Sequence, residues 1–389
     1  MTSTPHKITV LGLGRMGAAM ATRLAGHGFE VTGWTRSGGR VSDLDRATDP
    51  SGAVAGRDLV LLALFDGPAC RQVLDEVRAS LGPDTLVVNT GTISPDEAAG
   101  LARLVGPSYV HAPLLGSVPA AETGALRILA AGRPAALERA RPVLDVLGTV
   151  RPVADAPTAA ALKLIANHSL AGGVLALRDT LRQADALGLP REDVLDVLEL
   201  GTLGALVARK RRFLDGGPQE SPAEFTIRAL GKDMALLGGA SSAPLRGGAA
   251  LSDASPAFAE ADIAVAATLP AAPEAVLAPL RAYVRGHATG EPAHFRDAFL
   301  PTARIEGIRD GAFVSWGVEE YCALFSGRPA LDEPMRSRRV ESLDVHHSVA
   351  TATMTLVHGP DTFTDVFLLT CVKGAWRIAN KAYHRHDRP

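Results

Sequence analysis

The chain has 389 residues, of which 47% are hydrophobic and 21% are charged, and its formal net charge is −2. This length favours two or three domains, and the mixed charge argues against a nucleic-acid partner, which requires a concentrated basic face. Because the sequence shows neither a run of about 20 uncharged apolar residues that could span a bilayer nor an apolar signal region in its first residues, we predict a cytoplasmic protein with no membrane partner.

The run ITVLGLGRMGAAMATRLAGHGFEVTGWTR, at residues 8–36, predicts a strand, a glycine turn, a helix and a second strand. Gly12, Gly14 and Gly17 have the GxGxxG spacing between the first strand and the helix. In this context the first glycine permits the tight turn, the second lets the backbone approach a pyrophosphate, and the third brings helix against strand. The sequence therefore predicts a dinucleotide site at the helix N-terminus, and with it a nicotinamide-dependent oxidoreductase.

The residues that follow the second strand predict which dinucleotide binds. An acidic residue there would bind a ribose 2′-hydroxyl, whereas an arginine pairs with a 2′-phosphate. The chain has Arg36 at this point, between Thr35 and Ser37, with Arg40 close by and no carboxylate among these four residues. NADPH (NADP+) is therefore the predicted cofactor.

Strands alternate with helices up to about residue 155. Further strands are predicted at 58–65, 84–92, 109–113 and 126–131, with helices at 68–81 and 135–147. This alternation is typical of a parallel sheet, so residues 1–155 are predicted to form an NADP-binding Rossmann domain of the α/β class.

The pattern changes to helices alone after residue 155. Apolar residues recur at helical spacing from Ala159 to Leu187, which predicts one long helix, and shorter helices are predicted at 190–200, 203–215, 222–238 and 255–268. Residues 156–270 are therefore predicted to form an all-α domain for substrate binding and dimerisation.

A third pattern follows LPAAPEA, which indicates a linker at 269–275. A helix at 274–289 is predicted before strands at 303–308, 336–345, 348–358, 362–373 and 376–384, and the short breaks HHS, GPD and KGA indicate hairpin turns. Residues 274–389 are therefore predicted to form a separate α+β domain with a curved antiparallel sheet.

Cys70, Cys322 and Cys371 are far apart and lack CxxC spacing, so we predict no disulfide and no metal site.

Four motifs in order give residues 1–270 a resemblance to the β-hydroxyacid dehydrogenase family, which is related to 6-phosphogluconate dehydrogenase and to imine reductases. GLGRMGAAM resembles the cofactor loop, and NTGTISP, at 89–95, resembles the family's DxSTxxP segment. HAPLLGSVPAAETGAL, at 111–126, resembles the DAPVSGG substrate segment. KLIAN and GKDMAL, at 163–167 and 231–236, resemble the catalytic helix and a later KD motif.

This resemblance implies that Lys163 is the catalytic residue, which polarises or protonates the substrate oxygen. Asn167 lies one helical turn further along the same face and is predicted to donate its amide to the same substrate group. Lys232 is expected to line the site and Asp233 to be structural, although a surface ion pair is an alternative for both. The predicted cofactor-binding residues are Gly12, Leu13, Gly14, Arg15, Met16, Gly17, Thr35, Arg36, Ser37, Leu64, Phe65, Thr90, Thr92 and Lys232.

The predicted substrate residues are His111, Leu115, Gly116 and Ser117, and three of these differ from the family pattern. Leu115 replaces a serine, Ser117 replaces a glycine, and His111 replaces an aspartate. Because an isobutyl group replaces a hydroxyl donor, we expect a more apolar substrate than a small hydroxy acid held by its carboxylate. His111 is interpreted as a packed or capping residue, with a role as an acid or a ligand as the alternative.

Residues 274–389 resemble the NTF2-like, SnoaL-like group, most closely its putative lumazine-binding branch, through AYVRGHATGEPAHFRDAFLPTARI and FTDVFLLTCVKGAWRIANKAYH. The resemblance implies a cone with an apolar cavity, in a fold that does not by itself determine the chemistry. We expect this domain to cover or extend the substrate site, or to fix the oligomer. Asp365 and His384 are candidate inward-facing polar groups. Candidate cavity residues are Tyr283, Phe299, Trp316, Tyr321 and Phe325.

The sequence thus predicts an NADPH-dependent reductase of a ketone or aldehyde on a small, relatively apolar metabolite, with Lys163 as general acid. The alternatives are an imine reductase, a bifunctional reductase with an isomerase or cyclase in its last domain, and a non-catalytic cofactor-binding scaffold. A homodimer is expected, because the long helix that begins near Ala159 has more apolar surface than a small helical domain can cover.

Overall fold

The computed structural model describes residues 5–36, 44–215, 222–240, 260–268, 274–309 and 312–386. The chain divides into two units, Met1–Thr268 and Leu269–Pro389. The predicted linker therefore falls at the boundary between them. The division predicted near residue 155 lies within the first unit and stays a prediction.

The first unit contains the predicted α/β sheet. Its strands are β1 (Lys7–Leu11), β2 (Glu30–Trp34), β3 (Asp45–Arg46), β4 (Leu59–Leu62), β5 (Leu86–Asn89), β6 (Tyr109–His111), β7 (Leu114–Leu115), β8 (Leu126–Gly132) and β9 (Gly148–Pro152). They lie in the order β3-β2-β1-β4-β5-β6-β8-β7, with β9 beside β8. The six strands from β3 to β6 are parallel, whereas β8 runs antiparallel to β6 and to β7. The predicted parallel sheet is therefore confirmed, with an antiparallel edge.

Helices cover both faces of this sheet. They are α1 (Arg15–Gly26), α2 (Pro50–Val54), α3 (Gly67–Val77), α4 (Pro95–Val105), α5 (Val118–Thr123) and α6 (Pro134–Leu147). On one face Ile8 and Val10 pack into a core with Leu24 of α1, and on the other Leu11 packs with Val73 of α3. Because both faces are buried, the strands are continuous apolar runs rather than alternating ones, as is typical of parallel sheets.

The second half of this unit is helical, as predicted. Its helices are α7 (Ala156–Ala186), α8 (Arg191–Glu199), α9 (Gly204–Leu214), α10 (Ile227–Ala240) and α11 (Val265–Thr268). α10 begins five residues later than the helix predicted at 222–238, because Thr226 forms an isolated β-bridge with Asp262 just before it. α11 has four residues, and positions 255–259 of the helix predicted there lie outside the described residues.

The chain has no run of about 20 uncharged apolar residues, but one helix meets a looser criterion for a membrane span. By length and composition alone, α7 is long and apolar enough to cross a membrane, with a mean hydropathy of 1.4 over its most apolar window. In this structure 39% of that window is buried. The buried part packs against the neighbouring helices α4, α10 and α11, so the same composition fits a central helix of this unit.

The second unit has an antiparallel sheet backed by helices. Its elements are α12 (Glu274–Thr289), α13 (Pro292–Ala298), β10 (Phe299–Arg309), β11 (Ala312–Gly317), α14 (Val318–Cys322), β12 (Ser337–His346), β13 (Val349–His358), β14 (Asp361–Val372) and β15 (Ala375–Arg385). The strand order is β11-β10-β15-β14-β13-β12, and only β10 and β15 are parallel among these neighbours. The three predicted hairpin turns are confirmed. In the last turn Lys373 and Gly374 both have positive φ, as a two-residue turn between twisted strands requires.

The interior of the second unit contains most of the aromatic residues predicted for it. Tyr283, Phe299 and Tyr321 are buried in its core, whereas Trp316 and Phe325 are half-buried at its margin. Asp365 faces inward and is buried, but His384 is exposed, because adjacent positions of β14 and β15 alternate between the two sheet faces. The strand β11 and the helices α13 and α14 were not predicted.

Candidate active site

The glycine loop between β1 and α1 has the backbone conformation that a dinucleotide site requires. Gly12 has a φ of +105°, and a Cβ there would lie 2.4 Å from the carbonyl oxygen of Ala63. A Cβ at Gly17 would lie 1.8 Å from the carbonyl oxygen of Gly12. Beside Gly14, in contrast, no atom lies within 4 Å of the Cβ position. The first and third glycines are therefore required for packing, and the second leaves open space for the pyrophosphate.

The N-terminus of α1 has no side-chain cap, unlike those of several other helices in this unit. Asp49, Asp66, Ser94 and Asp155 cap α2, α3, α4 and α7 by accepting a hydrogen bond from a first-turn amide. α1 has Gly14 at this position and no acidic residue in its first turn. Its first amides are therefore available for an anion, which favours a phosphate group there.

Of the residues predicted to bind the cofactor at the end of β2, the structure describes Thr35 and Arg36, and their role in cofactor binding stays a prediction. Arg36 is exposed just after β2, and its Nη2 donates to Oε1 of Gln72 on α3 at 3.1 Å. Thr35 is half-buried beside it. Ser37 and Arg40 lie outside the described residues, so the basic group that the structure places at this strand end is Arg36.

Other predicted cofactor residues have structural partners of their own. Leu13 and Met16 pack against the core of the sheet, and Arg15 Nη1 donates to the carbonyl oxygen of Ala223 at 3.0 Å. Thr90 directs its hydroxyl to the carbonyl oxygen of Leu62 at 2.8 Å. The side chains of these four residues are thus used within the protein, and a cofactor would meet the loop mainly through its backbone.

Lys163 lies at one end of a buried polar chain that runs from α7 to α10. Its Nζ donates to Oδ1 of Asn167 at 3.0 Å, and Nδ2 of Asn167 donates to Oδ2 of Asp233 on α10 at 2.5 Å. The i, i+4 pairing predicted for Lys163 and Asn167 is present. The Asn167 amide, however, was predicted to donate to substrate, and here it donates to Asp233. Asn167 is therefore a positioning residue that joins the lysine to a carboxylate.

Burial changes the acidity of Lys163. Its pKa is lowered to about 8, chiefly by desolvation; the negative charge of Asp233 acts in the opposite direction, and the positive charge of Lys232 adds to the lowering. Within the part of the chain that the structure describes, Asn167 is its hydrogen-bond partner. An ammonium has three donors, so two remain for another acceptor. Lys163 can therefore release a proton close to neutral pH.

Lys232 connects this chain to the predicted cofactor residues. Its Nζ lies 2.7 Å from Oδ1 of Asp233 and donates to the carbonyl oxygen of Thr92 at 2.7 Å. It also lies 5.2 Å from the ring centre of Phe65. Phe65 is 42% exposed, and Leu64, the residue before it, is half-buried. Because Asp233 is 2% exposed, the Lys232–Asp233 ion pair is not a surface pair, and the predicted role of Lys232 in lining the site stays a prediction.

The substrate segment approaches α7 through Leu115. This side chain packs against the cluster that contains Ala159, one helical turn before Lys163 on the same face. Gly116 is exposed with a φ of +130°. Ser117 precedes α5, and its hydroxyl donates to Oε2 of Glu224 at 3.2 Å. The residue that replaces the family's hydroxyl is thus apolar and packs toward α7.

His111 is fully buried, which fits the packed interpretation rather than a role as an acid. Its Nδ1 is hydrogen-bonded to the hydroxyl of Tyr109 at 3.3 Å, and that hydroxyl accepts from Asn89 at 3.1 Å. Desolvation lowers the pKa of His111 to about 3, so the ring is neutral. His111 is therefore a buried residue at the start of the substrate segment.

Asp233 and Glu224 have polar partners on other elements that sequence reasoning did not predict. Asp233 was expected to be structural, and Glu224 was not considered. Glu224 is held by Lys210 at 3.1 Å and by Arg212, and Lys210 also binds Asp262 at 2.9 Å. The KD motif was a signal for Asp233, but no local pattern marks Glu224, whose partners lie on other elements.

Comparisons with known proteins agree with this geometry. Residues 7–157 match the family model described as the NAD binding domain of 6-phosphogluconate dehydrogenase, and residues 271–384 match the one described as putative lumazine-binding. The chain is 31% identical over 244 residues to a probable 3-hydroxyisobutyrate dehydrogenase of Mycobacterium tuberculosis, a match that covers 59% of this chain and 83% of the relative. It is 28% identical over 246 residues to glyoxylate/succinic semialdehyde reductase 1 of Arabidopsis thaliana, with the same two coverages.

A solved structure supports the same relationship. The 3-hydroxyisobutyrate dehydrogenase of Mycobacterium tuberculosis, determined with L-serine, is 27% identical, with a TM-score of 0.58 over 68% of this chain and 99% of that one. The glycine loop, the buried lysine and these relatives lead to one conclusion: the protein is an NAD(P)-dependent oxidoreductase that belongs to the β-hydroxyacid dehydrogenase family, and its residues 271–384 match the putative lumazine-binding model.

Proposed function

We propose that this protein reduces the ketone or aldehyde group of a small, relatively apolar metabolite with NADPH, and that Lys163 is the general acid. The observation that carries the proposal is the placement of Lys163. It is buried, oriented by Asn167, and separated from the carboxylate of Asp233 by that asparagine. A lysine held in this way retains donors for a substrate oxygen.

When bound, the reduced nicotinamide supplies the hydride. As negative charge develops on the carbonyl oxygen, Lys163 stabilises it and donates a proton from Nζ, which leaves an alcohol and a neutral lysine. Asn167 keeps Nζ oriented, and Asp233 favours its charged form before the step.

NADPH is the proposed cofactor because Arg36 stands at the end of β2 and its guanidinium is exposed. The test compares NADPH with NADH for the parent and for Arg36→Glu. We expect the variant to lose at least tenfold of its preference for NADPH, because a charge that attracts the 2′-phosphate becomes one that repels it. An unchanged ratio of kcat/KM for the two cofactors would overturn the proposed cofactor while leaving the reaction open.

The proposed substrate class follows from Leu115. A leucine in place of a hydroxyl makes the segment apolar and removes a donor for a carboxylate. We expect Leu115→Ser to raise kcat/KM for a 3-oxo acid, relative to the methyl ketone of the same skeleton, by about tenfold. If the ratio does not change, Leu115 does not select the substrate.

Imine reduction is the second candidate. The observation that favours it is the pKa of about 8 at Lys163, since a partly neutral lysine repels an iminium less than a charged one. A panel of ketones, aldehydes, 3-oxo acids and cyclic imines, with NADPH oxidation as the readout, separates the two candidates. We expect turnover of carbonyl compounds that Lys163→Ala abolishes. Imine turnover that persists in this variant would favour the second candidate, and turnover of neither class would favour a scaffold.

We also propose that a second copy of the chain covers α7. Leu162 and Ile165 are 41% and 54% exposed on this helix, in a segment whose apolar window is mostly unburied. Sedimentation should show a homodimer, and Ile165→Glu should convert it to a monomer, because a charge on a buried apolar interface is costly. A monomeric parent protein would contradict this proposal.

A further inference from the structure

Two consecutive residues before α10 contact two different segments of the sheet region. Nη1 of Arg15, the first residue of α1 after the glycine loop, donates to the carbonyl oxygen of Ala223 at 3.0 Å. The hydroxyl of Ser117, in the substrate segment, donates to Oε2 of Glu224 at 3.2 Å. The glycine loop and the substrate segment are therefore both linked to one point in the helical region.

A buried ion cluster holds Glu224 in place. Its side chain is 8% exposed, and its carboxylate accepts hydrogen bonds from Lys210 Nζ at 3.1 Å and from Arg212, both on α9. Lys210 Nζ also binds Oδ2 of Asp262 at 2.9 Å, and the same oxygen accepts from the backbone amide of Glu224 at 3.0 Å. Separate bonds thus fix the backbone and the side chain of Glu224, which makes its carboxylate a rigid acceptor.

The cluster does not need Ser117 for its own stability. Lys210 and Arg212 supply two positive charges, and Glu224 and Asp262 supply two negative charges, so the charges balance. Lys210 already donates to the oxygen of Glu224 that accepts from Ser117. The bond from the neutral hydroxyl therefore matters mainly for the segment that contains Ser117.

Ser117 uses its hydroxyl in an unusual way for its position. It is the N-cap residue of α5, where a serine normally accepts a hydrogen bond from a first-turn amide. Ser94, the N-cap residue of α4, makes this bond to the amide of Glu97 at 3.3 Å. The hydroxyl of Ser117 makes no capping bond and donates to Glu224 instead. The contact thus joins two elements rather than completing a helix end.

This contact lies next to the exposed turn of the substrate segment. Leu115, before the turn, is paired with Arg127 of β8, and Ser117, after it, is held by Glu224. Gly116 between them is exposed and has a φ of +130°, in a region that glycine adopts more readily than other residues. Because the glycine itself restricts the backbone least, the two flanking contacts determine the path of the turn.

We propose that Glu224 is a positioning residue for the reduction. Through Ser117 it fixes the turn at Gly116, so that the body of the carbonyl substrate is held against Leu115 while Lys163 contacts the reacting oxygen. The adjacent Ala223 links the same point to the start of α1, where the glycine loop ends. This role rests on the proposed function and assigns to the helical region an anchor for the substrate segment as well as the acid.

Ser117→Ala tests the anchor, because it removes one hydrogen bond and leaves the ion cluster complete. The readout is NADPH-dependent reduction of the carbonyl compound that the parent turns over best. We expect KM to rise about tenfold, with kcat and the Kd of NADPH changed by less than about twofold, since the anchor supports the bound substrate and the transition state equally. A fall in kcat at unchanged KM, or a lower melting temperature with both constants unchanged, would overturn the proposal.

A double-mutant cycle shows whether Ser117 acts through Glu224. Glu224→Gln keeps the shape of the side chain and an acceptor oxygen but weakens the hydrogen bond, so KM should rise about threefold. Ser117→Ala combined with Glu224→Gln should have the KM of Ser117→Ala alone, because the bond is already absent. A combined rise of about thirtyfold would mean that the two residues act independently, and it would overturn the proposal.

The matched control is Thr123→Ala at the other end of α5. Thr123 is exposed, and its hydroxyl donates to the carbonyl oxygen of Pro119 in the same helix at 2.8 Å. Its KM should equal that of the parent, and a rise as large as that of Ser117→Ala would overturn the specific role of Glu224. A parent that reduces no carbonyl compound would overturn the proposed function together with this role. An active parent whose KM is unchanged by Ser117→Ala would overturn this role alone.

Discussion

Lys163 in the first unit and Lys381 in the second are both buried lysines near a carboxylate, but they are held differently. Lys381 contacts Asp365 at 2.7 Å and the hydroxyl of Tyr283 at 2.5 Å, and its Nζ lies about 5 Å from three tyrosine ring centres. Lys163 contacts Asn167 instead, and this asparagine contacts the carboxylate of Asp233.

Under the proposed function, this difference separates a structural charge from a reactive one. Desolvation is the largest cause of a lowered pKa for both lysines. Direct contact with a carboxylate satisfies Lys381 and holds its proton in place. Asn167 lies between Lys163 and Asp233, so the carboxylate still favours the charged form of the lysine through its electric field. Two N–H donors of Nζ remain for a substrate. A buried lysine is therefore a candidate acid when its carboxylate is near but not in contact.

Replacement of Lys163 should have the largest effect on activity. We expect Lys163→Met to reduce kcat for carbonyl reduction by about 10³-fold, because a positioned general acid contributes 10²- to 10⁴-fold. The unfolding midpoint of the first unit should change little, since the methionine fills the same space without a desolvated charge. Steady-state kinetics and calorimetry of the full chain measure both quantities. Retained activity would remove the distinction between the two lysines.

Replacement of Lys381 should instead affect stability. Lys381→Met leaves Asp365 buried without its cation, so we expect the second unit to lose about 3–5 kcal/mol of unfolding free energy. Lys381→Met combined with Asp365→Leu removes both charges and should restore most of the loss. Urea unfolding of the full chain measures the three proteins. A stable single variant would show that Lys381 is not a structural ion-pair partner.

The elements that could be predicted from the sequence are those with a local cause. The glycine loop, the alternation of strands and helices, and the hairpin turns near His347, Gly359 and Lys373 each depend on a few adjacent residues. The strand Ala312–Gly317 was missed because it is short and mostly not buried, so its sequence lacks a strong apolar alternation.

The candidate site was predictable in part for the same reason. Helical spacing placed Lys163 and Asn167 on one face, which the structure bears out in their hydrogen bond. The partner of Asn167, however, is Asp233, which is 66 residues away on another helix, and the partner of Ser117 is Glu224, 107 residues away. Helix packing decides such contacts, and no spacing rule within one element reveals them.

The smallest expected effect is a shift in the pH dependence of reduction. Reduction needs protonated Lys163, so kcat should fall as pH rises through a pKa of about 8. Asp233 raises this pKa and Lys232 lowers it. Asp233→Asn should therefore move the inflection to lower pH, by about one unit, and Lys232→Gln should move it to higher pH. Opposite shifts would establish that Lys163 responds to its neighbours through their electric field. Shifts of the same sign would mean instead that each variant disturbs the geometry of the polar chain, and the contrast with the directly paired Lys381 would then lose its electrostatic basis.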